Sequence, residues 1–209
     1  KSRGLGDVYK RQISDIQNSP SSRGRGVFSG FSPGLQNGIQ FVEIMTKGNA
    51  LDFGTNETGT LCAGTSNGTR GVYSGGAPAP YKNKMEYITI ASQGNTIDFG
   101  DQTQGTYGTG ASSSSTRALI MGGNRMPNNS PFNDGNDGNN TICTIEIATI
   151  GNAIDFGDLS ARRAYPSACG DPVRMVLFGG YNNAVGSPLG LKTSDTVVYA
   201  SHGNGVDFG

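Results

Sequence analysis

The chain has no tryptophan and a single histidine, His202, and only 15% of its 209 residues are charged. One imidazole with no supporting motif makes no convincing Ser-His-Asp triad and supplies no histidine pair for a metal. The three cysteines, Cys62, Cys143 and Cys169, are odd in number and lack Cys-x-x-Cys spacing. They argue against a metal cluster and read as buried thiols, with one disulfide plus a free thiol as the alternative. No apolar run approaches the roughly 18 residues of a membrane span. No helical heptad run is present either. The Gly-Gly pairs are not followed by Gly-Lys-Ser/Thr, so they are not phosphate loops. Together these absences point to no catalytic residue, no metal and no cofactor.

Residues 2–12 read Ser-Arg-Gly-Leu-Gly-Asp-Val-Tyr-Lys-Arg-Gln. Residue for residue, this resembles the translation of a transposase sequencing adapter. Such scars are set aside before fold reasoning, so residues 1–12 are excluded and 13–209 are read as the domain. The natural N-terminus is then expected upstream. The whole chain balances 16 basic against 16 acidic residues. Without residues 1–12 it keeps 12 basic and 15 acidic. A mildly acidic segment with no clustered basic face disfavours nucleic acid as a partner.

What is present is glycine, 34 of them, and a phrase that recurs four times. It reads Gly48-Asn49-Ala50-Leu51-Asp52-Phe53-Gly54, Gly94-Asn95-Thr96-Ile97-Asp98-Phe99-Gly100, Gly151-Asn152-Ala153-Ile154-Asp155-Phe156-Gly157 and Gly203-Asn204-Gly205-Val206-Asp207-Phe208-Gly209. The starts lie 46, 57 and 52 residues apart. A period near 50 residues signals a repeat architecture, with units ending near 54, 100, 157 and 209. A second phrase is an Arg, a short apolar core and a glycine turn. It opens at Arg25, Arg70, Arg117 and Arg174, as in Arg174-Met175-Val176-Leu177-Phe178-Gly179-Gly180. A third, as in Met85-Glu86-Tyr87-Ile88-Thr89-Ile90, alternates like a half-buried strand before each Gly-Asn. Gly-Asn itself reads as a tight hairpin turn, because both residues accept positive φ. A weaker strand is expected before each Arg, at 61–64, 107–111 and 165–169.

The unit is therefore four antiparallel strands. Such a sheet cannot bury both faces alone, and radial stacking of the units solves that problem as an all-β, β-propeller fold. A β-solenoid and a plain sandwich are the alternatives. The apolar strand ending in Gly-Gly, the variable loop and the strand with an aromatic at Val197-Val198-Tyr199 resemble the Kelch-type propeller repeat. Kelch repeats place a Trp in the last strand, and here Phe53, Phe99, Phe156 and Phe208 would take its packing role. The Gly-Gly loops and the run from Ile150 through Arg163 also resemble Kelch-like proteins of marine phages, of the tail-fibre or virion-surface type. Four units are read as part of a larger ring, with a four-blade ring as the alternative.

Residues that recur build the scaffold, and function is expected where copies differ. The repeated Arg25, Arg70, Arg117 and Arg174 and the repeated Asp52, Asp98, Asp155 and Asp207 are read as structural, pairing between strands or blades or accepting turn N–H groups. The copies differ most in the loops 32–38, 77–84, 124–141 and 181–194. There Tyr81, Lys82, Arg125, Met126, Tyr181, Asn182 and Asn183 supply stacking and amide hydrogen bonds suited to a glycan or protein surface. The run from Asn133 through Asn140 fails the register of a calcium loop, because Gly138 stands where an oxygen ligand belongs and no Glu closes it. It reads as an insertion.

The leading expectation is a non-enzymatic binding or structural module on a virion or otherwise extracellular, with virion components or a homo-oligomer as further partners. One alternative is the non-catalytic part of a secreted galactose-oxidase-like or glycan-active enzyme. Copper oxidation of that type needs two His with Tyr and Cys, and one His does not supply them. The other alternative is a cellular Kelch scaffold for protein interactions.

Overall fold

The computed structural model describes residues 24–29, 37–46, 48–76, 83–125, 138–182 and 189–209. Among them there is no helix. The strands form four antiparallel meanders. Blade 1 contains β1 (Arg25–Ser29), β2 (Gly38–Glu43) and β3 (Leu51–Thr55). Blade 2 contains β4 (Ala63–Ser66), β5 (Arg70–Ser74), β6 (Lys84–Thr89) and β7 (Ile97–Asp101). The short β8 (Thr106–Tyr107) leads into blade 3, which has β9 (Gly110–Ser113), β10 (Arg117–Met121), β12 (Asn139–Glu146) and β13 (Ile154–Arg163), while β11 (Asn124–Arg125) pairs with β8. Blade 4 has β14 (Ser167–Gly170), β15 (Arg174–Phe178), β18 (Ser194–Val198) and β19 (Val206–Asp207), with a small ribbon of β16 (Tyr181–Asn182) and β17 (Leu189–Gly190). The arrangement is a four-bladed β-propeller.

The core lies between the blades, as the continuous apolar runs require. Along β10, Ala118, Leu119, Ile120 and Met121 are all buried, because alternate residues meet the blade on either side. Ile120 packs with Val72, Met85 and Phe99 of blade 2, while Leu119 and Met121 pack with Met175 and Leu177 of blade 4. The repeated Phe reaches this core through a bulge. Pairing skips one residue between Gly54 and Asp52, between Gly100 and Asp98, and between Gly157 and Asp155. The skipped residue is Phe53, Phe99 or Phe156, at 3%, 1% and 3% exposure. Asp and the residue before it stay outside. A bulge re-aims one side chain without breaking the strand.

Two expectations change. The tight turn precedes Gly-Asn, closed by Thr46, Ser92 and Thr149 N–H groups donating to Glu43, Thr89 and Glu146 carbonyls. Gly-Asn instead reaches across to the preceding blade. Gly94 N donates to Phe53 O at 2.8 Å, Gly151 N to Phe99 O at 2.8 Å and Gly203 N to Phe156 O at 2.9 Å. Two residues on, Thr96, Ala153 and Gly205 N–H groups donate to Thr55, Asp101 and Asp158 carbonyls. The Asn95, Asn152 and Asn204 side-chain oxygens accept from the N–H of Thr55, Asp101 and Asp158. The approach is so close that a Cβ on Gly54, Gly100 or Gly157 would stand 2.2, 2.5 or 2.4 Å from the next carbonyl. The final Gly of one copy and the opening Gly-Asn of the next are thus two halves of one joint.

The innermost strands also begin later than expected, at Ala63, Gly110 and Ser167. Leu61, Gly108 and Tyr165 just before them have φ of 60°, 60° and 50°, which no strand continues through.

The repeated Arg completes the joint. Arg25, Arg70 and Arg117 donate from Nη1 to the carbonyls of Ile90, Ile147 and Tyr199 in the next blade, at 2.9, 2.8 and 2.7 Å. Within their own blades Arg25 and Arg117 pair with Glu43 and Glu146, and Arg25 and Arg70 lie over the Phe41 and Tyr87 rings. The guanidinium goes to a carbonyl and a Glu, not to the repeated Asp, because the bulge turns that Asp to solvent.

Candidate functional site

Antiparallel pairing brings the Gly-Gly turns, the variable loops and the connections between blades to one end of the propeller. In blades 2 and 3 the second glycine of the turn ties the loop to the next connection, Gly76 N donating to Thr106 O and Gly123 N to Arg163 O. Leu61, Gly108 and Tyr165 line this mouth, each nine residues before a repeated Arg. They are joined in series. Gly108 N donates to Leu61 O and Tyr165 N to Gly108 O, both at 2.9 Å. The left-handed conformation accompanies this series of hydrogen bonds. It suits glycine, and it costs a tyrosine about 1–3 kcal/mol.

The strained Tyr165 anchors an aromatic cluster. Its ring stacks on Tyr181 at 5.6 Å and 20°, and meets Tyr107 edge-on at 6.0 Å. Gly108 makes room, since a Cβ there would stand 2.7 Å from the Tyr165 ring. Tyr181 is held by β16, bridged to Ala164, and Asn124 donates from Nδ2 to its hydroxyl at 3.4 Å. Tyr165 keeps 41% of its surface exposed while its neighbours are more buried. Burial, then the adjacent Tyr107 and Tyr181, push its phenol up to about 12. It is a neutral aromatic surface with a hydroxyl at neutral pH.

Beneath the mouth, buried carboxylates fasten the incoming connections. Glu86, 1% exposed, accepts from the N–H of Glu57 and Thr58 and from the Thr96 hydroxyl. Asp195, at the same place in blade 4 and 0% exposed, accepts from Ser160 N and Oγ and pairs with the buried Arg163 at 3.3 Å. Arg163 also donates to the Gly179 and Thr193 carbonyls. Cys143 takes this position in blade 3, and burial pushes its thiol up to about 12. All three cysteines are free thiols, Cys62 half-buried, Cys143 buried and Cys169 exposed. The chemistry of this layer is backbone fastening.

Of the loop residues singled out from sequence, Tyr181 and Asn182 stand at the mouth in β16. Arg125 ends β11, its backbone paired with Thr106. Tyr81, Lys82, Met126 and Asn183 lie outside the described residues, as does most of the 133–140 run. Sequence reasoning passed over Tyr165, Tyr107 and Asn124. The available signal was the position nine residues before Arg, which reads Leu, Gly and Tyr in successive copies and so varies where the frame around it repeats. No family model and no curated protein matches the chain.

Proposed function

We propose that this propeller is a non-enzymatic recognition module of Kelch-like type, carried on a virion surface such as a phage tail fibre, that binds a host-surface glycan at the mouth. One observation carries the reading. Tyr165 is held in a strained left-handed conformation with its ring braced on Tyr181 and 41% exposed. Strained residues concentrate at functional sites. A rigid, two-torsion aromatic presents flat apolar area at low entropic cost, which suits the C–H face of a sugar. The amide of Asn182 and the tyrosine hydroxyls beside it match sugar hydroxyls. The virion setting rests on the likeness of the repeat style to Kelch-like phage proteins.

The test is a glycan-array screen followed by calorimetry with the best ligand. Tyr165→Ala and Tyr181→Ala are expected to weaken binding by about tenfold or more while thermal melts show a folded protein. Binding that survives both substitutions overturns the assignment to the mouth. Mass spectrometry of the bound glycan should show it unchanged, and cleavage or oxidation overturns the non-enzymatic reading.

A further inference from the structure

The third strand of each unit carries one residue at the same register, opposite the repeated Asp. Glu86 stands opposite Asp98, Cys143 opposite Asp155 and Asp195 opposite Asp207. In blades 2 and 4 this residue is a buried carboxylate that holds the connection arriving from the blade before. Glu86 Oε2 accepts from Glu57 N at 3.0 Å and Thr58 N at 2.8 Å, and Asp195 Oδ2 accepts from Ser160 N at 2.8 Å. Glu57 and Ser160 each lie five residues after a repeated Asp, and Thr103 is their counterpart in the connection from blade 2 to blade 3. Its N–H and hydroxyl lie against the sulfur of Cys143. That thiol also donates to Ile120 O at 3.6 Å. One weak acceptor thus stands where the other two blades have the oxygens of a carboxylate.

A thiol fills less space than a carboxyl group, and room remains beside it. A cavity of about 10 Å³ is lined by Gln102, Thr103, Thr109, Thr141 and Cys143 among others. Every residue that lines it is among the described ones. Two of them hold polar atoms with no protein partner. Gln102 is 5% exposed, and its Oε1 accepts from Thr106 Oγ1 at 2.8 Å while its Nε2 has no partner. Thr109 Oγ1 is buried without a partner as well. The same condition recurs through this layer. Asn56 Oδ1, Ser74 Oγ, Asn124 Oδ1 and Arg163 Nε complete the unpartnered buried side-chain atoms among the described residues. All stand in the connections or beside the Gly-Gly turns, and none lies in the apolar core between blades. A buried amide N–H without a partner is costly, so it takes one, and where the protein offers none the partner is water.

We propose that the cavity beside Cys143 is a binding site for one water molecule, which does for the connection between blades 2 and 3 what the carboxylates do for the other two connections. Gln102 Nε2 donates to its oxygen, and the Thr109 and Thr141 hydroxyl oxygens accept its protons. Thr141 has lone pairs for this, since its own proton goes to Asn139 Oδ1. The water thereby ties the start of the connection at Gln102 to its end at Thr109, and both to blade 3. A single water needs about 10–15 Å³ and two to four polar partners, and this site supplies both. The Gln102 Nε2 offers protons only, which suits a water oxygen and not a cation.

A crystal structure of the 209-residue chain at atomic resolution tests this first. One ordered water within hydrogen-bond distance of Gln102 Nε2 and Thr109 Oγ1 is expected. A dry cavity overturns the proposal, and so does a Gln102 amide turned onto a protein oxygen. Oxygen-17 relaxation dispersion then counts long-lived waters in solution. Thr109→Val keeps the shape of the side chain and removes its hydroxyl. It is expected to hold one long-lived water fewer than the wild type while thermal melts show a folded protein. Gln102→Leu removes the donor on the other side, with the same loss expected, and replaces Thr109→Val if that variant melts early. A count equal to that of the wild type overturns the proposal.

Discussion

The joints between blades and the mouth of the propeller are built from the same repeat unit, yet they vary in opposite ways. At the joints Arg, Gly-Asn and Phe-Gly recur and make the same bonds at each of the three meetings. At the mouth one backbone conformation recurs, φ near 50–60° at 61, 108 and 165, but the side chains are Leu, Gly and Tyr. The joint constrains side chains because atoms meet at contact distance. At the mouth the recurring element is the backbone conformation, while the side chain differs from copy to copy, and at 108 a glycine leaves room for the Tyr165 ring. Repetition of residues therefore marks the joints, and repetition of conformation with changing residues marks the mouth.

The sharpest way to break this comparison is at the frame. Arg163→Ala leaves Asp195 buried without its partner and is expected to cost about 3–5 kcal/mol, read by urea denaturation. A cost under about 1 kcal/mol would show that Ser160 alone satisfies that carboxylate.

Next comes one repeated residue in two settings. Phe99→Ala, in a closed joint, is expected to lose about 3–5 kcal/mol, while Phe208→Ala, at an exposed position, changes stability by less than about 0.5 kcal/mol. Equal losses would mean that the Phe is held by its own blade and not by the joint.

Gly157→Ala follows. Its Cβ would stand 2.4 Å from Gly203 O, and blade 4 must shift to accept it. A cost of about 1–3 kcal/mol and a lowered Tm are expected.

Stability should also depend on pH through Cys143. Its thiol is raised from 9.0 to about 12 in the folded chain, so the unfolded chain ionises first. The contribution is fully present below pH 9, falls as pH rises through that window and is lost above about 12. Denaturation curves of the wild type and Cys143→Ala should converge over this range. Parallel curves would place the thiol in a wetter site.

The smallest effect is expected at a repeated residue. Asp155→Ala should change stability by no more than about 0.5 kcal/mol, because the side chain is exposed. The repeat pattern alone reads that Asp as structural and expects a loss, so this one melt separates recurrence from burial.

Strand content, repeat length and blade succession were legible because apolar bursts of period two and glycine turns are local features. The packing of Phe53, Phe99 and Phe156 was legible from recurrence. The strand starts at Ala63, Gly110 and Ser167 were not, since Tyr165 and Leu61 carry no local preference for positive φ. The role of Gly-Asn was misjudged for a related reason. Its tolerance of positive φ suggests a turn, while its actual partners lie about forty or more residues back in the chain, at Phe53, Phe99 and Phe156.

The sequence by itself determined the architecture. A unit of four short strands with a covered second strand must stack on its neighbours, because one sheet cannot bury two apolar faces. It also determined that the residues of the joint recur. Only the tertiary structure decided what each recurring residue does. The bulge that turns Phe inward turns Asp outward, the Arg reaches a carbonyl of the next blade, and Gly-Asn clasps the blade before it. The tertiary structure likewise chose Tyr165. Its N–H donates to the Gly108 carbonyl, in a series that runs on from Gly108 to Leu61, and those bonds exist only once the blades are side by side.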